Sequence, residues 1–469
     1  MTDAFQMSLD RQAALPLAVQ IHAGIRDAIR EGRLAGGARL PSWRDLAAQL
    51  GVARGTVRVA YERLIDEQLI VSAGPAGTRV AERAAQPAPP IRPTRSAPLA
   101  AFFHDFDGAP FVFQMGVPAQ DGFPYTLWSR LLARSARTAA AAPVVYPDPR
   151  GHPDLRREIA ASLALARGIR CAPDQVLVTA GFSGALGLAA RALGLSGAAA
   201  WQEEPGFPLT RLALEHAGLR VVPVPVDGAG IDVAAGIRRA PGAALALVTA
   251  GQQAPLGMPL AHGRRLDLLA WARHNEAWIL EDDYLSELQL KGRAAPALAA
   301  LDGDGRVLHA GTFSKTISPA LRLGFLVVPP GLAQRFADIA ACLAPASAIA
   351  TQLAVAGFMA EGHYLRHLRR MKRLYAARRD MLVAALLKAG IEPGRIHATG
   401  GLAVRLDLPD GTDDLGIATR ALGFGLAPVA LSPWYAEAPK RHGLLLGVTN
   451  INEKRLAADC QRLLDLTGG

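Results

Sequence analysis

From Arg83 to Ala100 the chain reads RAAQPAPPIRPTRSAPLA, a proline-rich run with scattered arginines and no apolar period. Proline lacks an amide donor and fixes its own φ, so such a stretch enters neither a helix nor a sheet ladder and reads as a semi-extended linker. No single core can be continuous across it. The 469-residue chain is therefore expected to hold a small module over 1–82, a linker over 83–100 and a large body over 101–469. A body of that size has room for a main part and a smaller C-terminal sub-domain.

Composition narrows the class. Half of the residues are hydrophobic and 20% are charged, which excludes a disordered chain and predicts globular domains. The net charge of +10 favours a polyanionic partner and fits equally an arginine-rich genome. Cys171, Cys342 and Cys460 are widely spaced, so neither a disulfide framework nor a zinc site is expected. The first residues, MTDAFQMSLDRQAAL, lack the basic start and apolar run of a signal peptide, which reads as a cytoplasmic protein. The long uncharged stretch from Ile339 to Ala360 is alanine-rich and carries Pro345, Ser347, Thr351 and Gln352; it reads as a buried helical segment and not as a membrane span.

In the first module, Pro16 to Gly32 reads as an amphipathic helix with Val19, Ile21, Ile25, Ala28 and Ile29 on one face. Ser42 is placed to cap a second helix that ends before Gly51. A third runs from about Arg54 to Gln68 with Val57, Ala60, Tyr61 and Leu64 inward. The tight Gly51-Val52-Ala53 turn between these two helices is a helix-turn-helix signal. Residues 69–71 and 78–80, on either side of Gly74–Gly77, read as a hairpin wing. Arg54 and Arg58, four apart, share the face opposite Val57 and Leu64. That face is either an ordinary solvated one or one that enters a DNA groove, and the winged helix-turn-helix setting with Thr56 favours the groove.

From Val176 onward short apolar strands (VLVTA, AAAW, VVPVPV, ALALVTA, AWILEDD, RVLHAG, LGFLVV) alternate with helices. This rhythm predicts an α/β fold with a mostly parallel sheet, whose ligands sit at the carboxyl ends of the strands. Four such ends carry chemistry. Lys315 in Gly-Thr-Phe-Ser-Lys can act as a desolvated, nucleophilic amine, with Thr312, Ser314 and Arg322 able to cradle a phosphate. Asp282 and Tyr284 in EDDY suit a pyridine nitrogen and a ring hydroxyl, although an acidic run also suits a metal. TAGFSGAL starts a helix whose N–H groups and Ser183 can bind phosphate, or merely packs. Phe207 in EEPGFP can stack on a ring, or sit in a core.

In order and spacing these motifs resemble the fold-type I aminotransferases that use pyridoxal 5'-phosphate. Residues 15–81 resemble the winged-helix domain of the GntR regulators, and the whole chain resembles their MocR/GabR branch. The segments FQMGVPAQDGFP, VVYPDPRGHPDLRREIA, EEPGFPLTR, EDDYLSE and GTFSKTISPALRLGF carry the match in the body. The resemblance implies a transcriptional regulator that binds double-stranded DNA through Arg44, Arg54, Thr56, Arg58 and Gly77. It also implies a body that senses pyridoxal phosphate or a small amine or amino acid. Lys315 would carry the cofactor as an internal aldimine; Ser183, Thr312, Ser314 and Arg322 would hold its phosphate. Asp282 would pair with the ring nitrogen, Tyr284 with the ring oxygen, and Phe207 would stack. Tyr146 would reach the partner's phosphate in a homodimer, and neither a metal nor a membrane is implied.

Three departures bear on activity. Ala254-Pro255-Leu256-Gly257 stands where aminotransferases have Asn-Pro-Thr-Gly. GLLLGVTNIN, 443–452, lacks the arginine that clamps an amino-acid carboxylate, and Ser183 stands where relatives often have glutamine. The wing, GPAGT, lacks a basic residue. A regulator is expected; a working aminotransferase carrying a DNA-binding module is the alternative, with Arg211 or Arg405 as replacement clamps.

Overall fold

The apolar stripe after Pro16 folds as helix α1, Leu17–Arg30, burying Ile21, Ile25, Ala28 and Ile29. The computed structural model describes residues 7–82 apart from 14, 73, 75 and 76, and residues 110–467 apart from 144, 291, 293, 345, 399 and 400. The linker expected over 83–100 lies outside them. The chain divides into two units, 1–101 and 102–469.

In the first unit, Ser42 accepts from the Asp45 N–H and opens α2, Trp43–Leu50, which Gly51 closes in the left-handed region. Helix α3, Arg54–Asp66, buries Val57, Ala60, Tyr61 and Leu64. Strands β2, Ile70–Ser72, and β3, Thr78–Val80, form the wing. A two-residue strand that sequence reasoning missed, β1, Arg39–Leu40, pairs with β3 so that Arg39 stands opposite Arg79. The side chains of α1 and α3, with Leu40, Leu46, Ile70 and Val80, form one core.

The second unit is built on an eight-stranded sheet in the order β4-β11-β10-β9-β8-β5-β6-β7. Its strands are β4 (Val176–Thr179), β5 (Ala199–Glu204), β6 (Arg220–Asp227), β7 (Gly230–Ile231), β8 (Leu245–Val248), β9 (Trp278–Asp283), β10 (Val307–Thr312) and β11 (Gly324–Val327). The pairs β10–β9, β9–β8, β8–β5 and β5–β6 are parallel, while β11 runs antiparallel to both β10 and β4. Every strand expected from the apolar runs is present. The near-continuous apolar character of β4, β8 and β10 follows from helices covering both faces.

A second, antiparallel sheet near the C-terminus has the order β12-β13-β15-β14, from β12 (Ile396–His397), β13 (Ala403–Asp407), β14 (Val429–Ala430) and β15 (Gly443–Gly447). It is the smaller sub-domain. A 26-residue helix, His363–Lys388, contributes to the same core through Leu368, Met371, Tyr375 and Leu382.

The segment Ile339 to Ala360 is not one helix. The helix Ala333–Leu343 ends and another, Ile349–Ala360, begins. The cause is Pro345: it disfavours helical geometry at the residue before it, and Ala344 leaves the helix at φ −145°, ψ 58°. Among the described residues, no helix is long and apolar enough to cross a membrane.

Candidate functional site

Strand register brings the body's motifs together. Thr312 at the end of β10 lies opposite Gly324, and Gly324 lies opposite Thr179, which precedes the helix Gly181–Ala192. Asp282 is the register partner of Ala310. The ends of β4, β9 and β10 therefore share one edge with the N-terminus of that helix. A Cβ on Gly324 would lie 2.8 Å from the Gly311 carbonyl and 3.0 Å from the Gly181 Cα, so only glycine allows this approach.

Along β9 the two-residue period separates three consecutive carboxylates. Glu281 receives a hydrogen bond from the Leu298 N–H at 2.8 Å and pairs with His309 at 2.9 Å. Asp283 accepts from Arg167 at 2.7 Å. Burial opposes the ionised form of Glu281, but His309, the Leu298 N–H and Arg167 outweigh it and hold the carboxyl near 2. Asp282 points the other way, towards Lys315. Burial, and then the charges of Asp283, Glu203 and Glu281, push its carboxyl up to about 8 against the pull of Lys315.

Lys315 is half-buried, and its Nζ donates to the Gly116 carbonyl at 3.1 Å. A Cβ on Gly116 would come within 2.9 Å of that nitrogen, so glycine at 116 keeps the space around the amine. Burial lowers the Lys315 pKa, Arg322 lowers it further, and Asp282 opposes both. Beside it, the Thr312 hydroxyl donates to Ser314 Oγ at 3.0 Å and accepts from the Ser314 N–H at 3.1 Å. Arg322 adopts a left-handed φ of 45° and is exposed, with Nη2 3.4 Å from the Ala180 carbonyl. Its guanidinium thus stands over the start of the helix that carries Ser183, itself exposed on the first turn. Tyr284 packs beside this group, and burial, with Asp282 nearby, raises its phenol above the usual range.

Phe207 is exposed and meets Trp434, with ring centroids 5.3 Å apart at 42°. Trp434 was not foreseen, because it closes a single 3-10 turn, Ser432–Trp434, that leaves no period in the sequence, and its ring reaches the site only through tertiary packing. Tyr146 is fully exposed and does not join the other residues within this chain.

Two of the departures lie in apolar surroundings. Ala254, Leu431, Trp434 and Leu445 form one buried cluster, with Met115, Tyr284, Val429 and Tyr435 packed on it. Neither replacement arginine is uncommitted. Arg211 donates to the Trp434 carbonyl at 3.0 Å and lies 3.9 Å from Glu204. Arg405 makes a two-point pair with Asp407 at 2.7 and 3.3 Å.

In the first unit, Arg44, Arg54 and Arg58 are exposed and Thr56 is half-buried at the start of α3. Arg44 lies over the Trp43 ring at 4.9 Å, and Arg58 pairs with Glu62 at 3.5 Å. Gly77 has φ 87°, which favours glycine, and a Cβ there would meet Arg39 Nε at 3.2 Å. The basic residue absent from the wing loop is thus present beside it, on β1. A two-residue strand leaves no period in the sequence by which to find Arg39.

These residues define a winged-helix unit followed by a fold-type I aminotransferase body. Comparisons with known proteins agree. Residues 17–80 match the gntR family of bacterial regulatory proteins, and residues 130–401 match aminotransferase class I and II. The chain is 35% identical to the probable rhizopine catabolism regulatory protein MocR of Rhizobium meliloti, over 96% of this chain and 93% of that one. It is 32% identical to the pyridoxine biosynthesis transcriptional regulator PdxR of Corynebacterium glutamicum, over 96% of each. An archaeal alanine:glyoxylate aminotransferase superposes with a TM-score of 0.71 at 24% identity, over 80% of this chain and 96% of that one. LysN, the α-aminoadipate aminotransferase of Thermus thermophilus, was solved with N-(5'-phosphopyridoxyl)-L-leucine. It gives a TM-score of 0.67 at 26% identity, over 76% of this chain and 92% of that one.

The chain belongs to the MocR-type branch of the GntR family, transcriptional regulators that bind DNA through the winged helix and carry an aminotransferase-like domain. The cofactor of that domain is pyridoxal phosphate. The donor set suits it: an amine in a space that a Cβ would fill, a carboxyl driven towards its neutral form until a cation faces it, and a guanidinium over a helix N-terminus.

Proposed function

We propose that this protein is an operator-binding regulator whose body holds pyridoxal phosphate at Lys315 and changes its grip on DNA when a small ligand, or the cofactor itself, occupies that site. One observation carries the reading: Lys315 and Asp282 meet at the strand ends, while Ala254 and Leu445, in the segments where an aminotransferase carries its ring-oxygen asparagine and its carboxylate-binding arginine, are buried and apolar.

When bound, pyridoxal phosphate supplies an aldehyde that condenses with amines and a ring that withdraws electrons. The protein's own residues place it. Arg322, the Thr312 and Ser314 hydroxyls, Ser183 and the first N–H groups of the helix Gly181–Ala192 hold the phosphate. Asp282 keeps a proton at the ring nitrogen, and Tyr284 donates to the ring oxygen. Phe207 covers one ring face. Burial keeps the Lys315 amine easy to deprotonate, so it attacks a carbonyl readily. The regions 1–82 and 101–469 act as the DNA-binding and effector domains. Tyr146, exposed in one copy, contributes to the site of a second, which makes the working form a homodimer in the cytoplasm. On DNA, Arg54 and Arg58 enter the groove with Thr56, Arg44 contacts the backbone, and Arg39 beside Gly77 supplies the cation of the wing. The regulator reading is favoured over the aminotransferase because Arg211 and Arg405 are both held by other partners.

The test is binding of the loaded protein to DNA from upstream of its own gene, measured by fluorescence anisotropy. Lys315→Ala should change the affinity about fivefold or more. Superimposable isotherms with and without Lys315 would refute the coupling.

A further inference from the structure

Two helices of the body carry arginine rows that the site around Lys315 does not use. In the helix Tyr125–Ala141, Arg130, Arg134 and Arg137 are exposed, and in the helix His363–Lys388 so are Arg366, Arg369, Arg370 and Arg373. Spacings of three and four residues put each set on one helical face. Each row spans about 10 Å of helix axis, a length over which duplex DNA presents about six phosphates.

The two rows meet. Trp128 on the first helix packs edge-on against Phe358, with ring centroids 5.7 Å apart, and Phe358 stacks on His363 at the start of the second. Arg134 pairs with Glu361, Glu361 with His363 at 3.2 Å, and His363 with Arg366 at 2.9 Å. The rows are thus joined through a single carboxylate. The inner face of the second helix is anchored: the Tyr364 hydroxyl bonds Thr316 Oγ1 at 3.1 Å, and His367 Nε2 meets the Thr316 carbonyl at 2.7 Å. Its outer arginines therefore stand on a fixed support.

The charge of this face is not balanced within the chain. The first helix has no carboxylate, and the second has only Asp380, two turns beyond Arg373 and paired with Arg379 at 2.7 Å. Among the described residues, Arg137, Arg369 and Arg373 make no hydrogen bond or ion pair. Like charges three and four residues apart repel, and a polyanion laid along the rows relieves that repulsion. DNA is the polyanion this chain already holds through its winged helix. A second, weaker site on the same chain meets that DNA at high effective concentration.

We propose that the arginine face of these two helices is a second DNA-contact surface, gripping the phosphate backbone of the duplex that flanks the winged-helix site. It reads no base and adds salt-dependent affinity. The proposal rests on DNA binding by the first unit and is independent of the cofactor.

The experiment titrates the full-length protein, by fluorescence anisotropy, with two duplexes from upstream of its gene. One covers only the winged-helix footprint; the other is extended by about 30 bp on each side, roughly 100 Å. Wild-type affinity should fall more steeply with salt on the extended duplex. The triple variant Arg369→Gln/Arg370→Gln/Arg373→Gln should keep the unfolding midpoint and the short-duplex isotherm. On the extended duplex it should lose about tenfold or more in affinity and lower the log–log salt slope by about 2 to 3. Arg130→Gln/Arg137→Gln should act in the same direction. Scrambling the flanks should change nothing, since phosphate contacts carry no sequence information. Wild-type slopes in both variants on the extended duplex would overturn the proposal, as would a loss falling equally on both duplexes. Variants that lose binding to phosphatidylserine vesicles while keeping full DNA affinity would overturn it too, making the face a membrane contact. The underlying reading fails separately: a wild type that binds neither duplex fails at the winged helix.

Discussion

Replacing Asp282 with asparagine should stabilise the cofactor-free body while weakening its hold on the cofactor. The Asp282 carboxyl is raised from 3.8 to about 8 by burial and by the charges of Asp283, Glu203 and Glu281. A carboxyl raised on folding is ionised in the unfolded chain above its ordinary pKa and neutral in the folded one. The unfolded state then binds fewer protons, and stability falls as pH rises from about 4 to about 8. Each pH unit in that window costs about 1.4 kcal/mol. At pH 7 the accumulated cost is about 4 kcal/mol, an upper limit because water reaches this half-buried group. Asparagine keeps the shape and removes the titration. Urea unfolding of the cofactor-free protein, followed through the body's transition between pH 5 and 7.5, should show the variant's advantage growing by about 1.4 kcal/mol per pH unit. With cofactor the order should reverse, because the pyridinium partner of Asp282 is lost. A pH-independent difference between variant and wild type would refute the placement of Asp282 as a buried, cofactor-seeking carboxyl.

Other outcomes follow from the same geometry. Arg54→Ala or Arg58→Ala should weaken operator binding by about 1–3 kcal/mol in gel shifts if that arginine reads a base edge, and wild-type affinity should fall steeply with salt. Arg39→Ala should reduce affinity on all sequences alike and lower the salt slope, as a backbone contact does. Leu64→Ala, at a position with no exposure, should cost the DNA-binding unit about 2–5 kcal/mol in chemical denaturation. Gly324→Ala should lower cofactor affinity in equilibrium dialysis, because its Cβ would part the Gly311 carbonyl from Gly181.

Much of this architecture is legible in the sequence because its signals are local. The strands of the main sheet are apolar runs, α1 and α3 carry a 3.6-residue stripe, and Ser42 caps α2 as its position suggests. Lys315 could be singled out because it follows a strand, Asp282 because it lies at the end of one, and Arg322 by its place seven residues after Lys315. What eluded sequence reasoning depends on long-range contact. Arg39 reaches Gly77 only because β1 adds to the wing, and Trp434 reaches Phe207 from more than two hundred residues away. That Arg211 and Arg405 are committed to other partners could be known only from those partners' positions. The break at Ala344 was written in Pro345, but the uncharged, alanine-rich composition on both sides concealed it.

The most direct test of the central claim is mass spectrometry of the protein reconstituted with pyridoxal phosphate and reduced with borohydride. One phosphopyridoxyl group per chain is expected, on the peptide containing Lys315, and it should vanish in Lys315→Ala. No addition, or equal labelling in the variant on its remaining lysines, would contradict the claim.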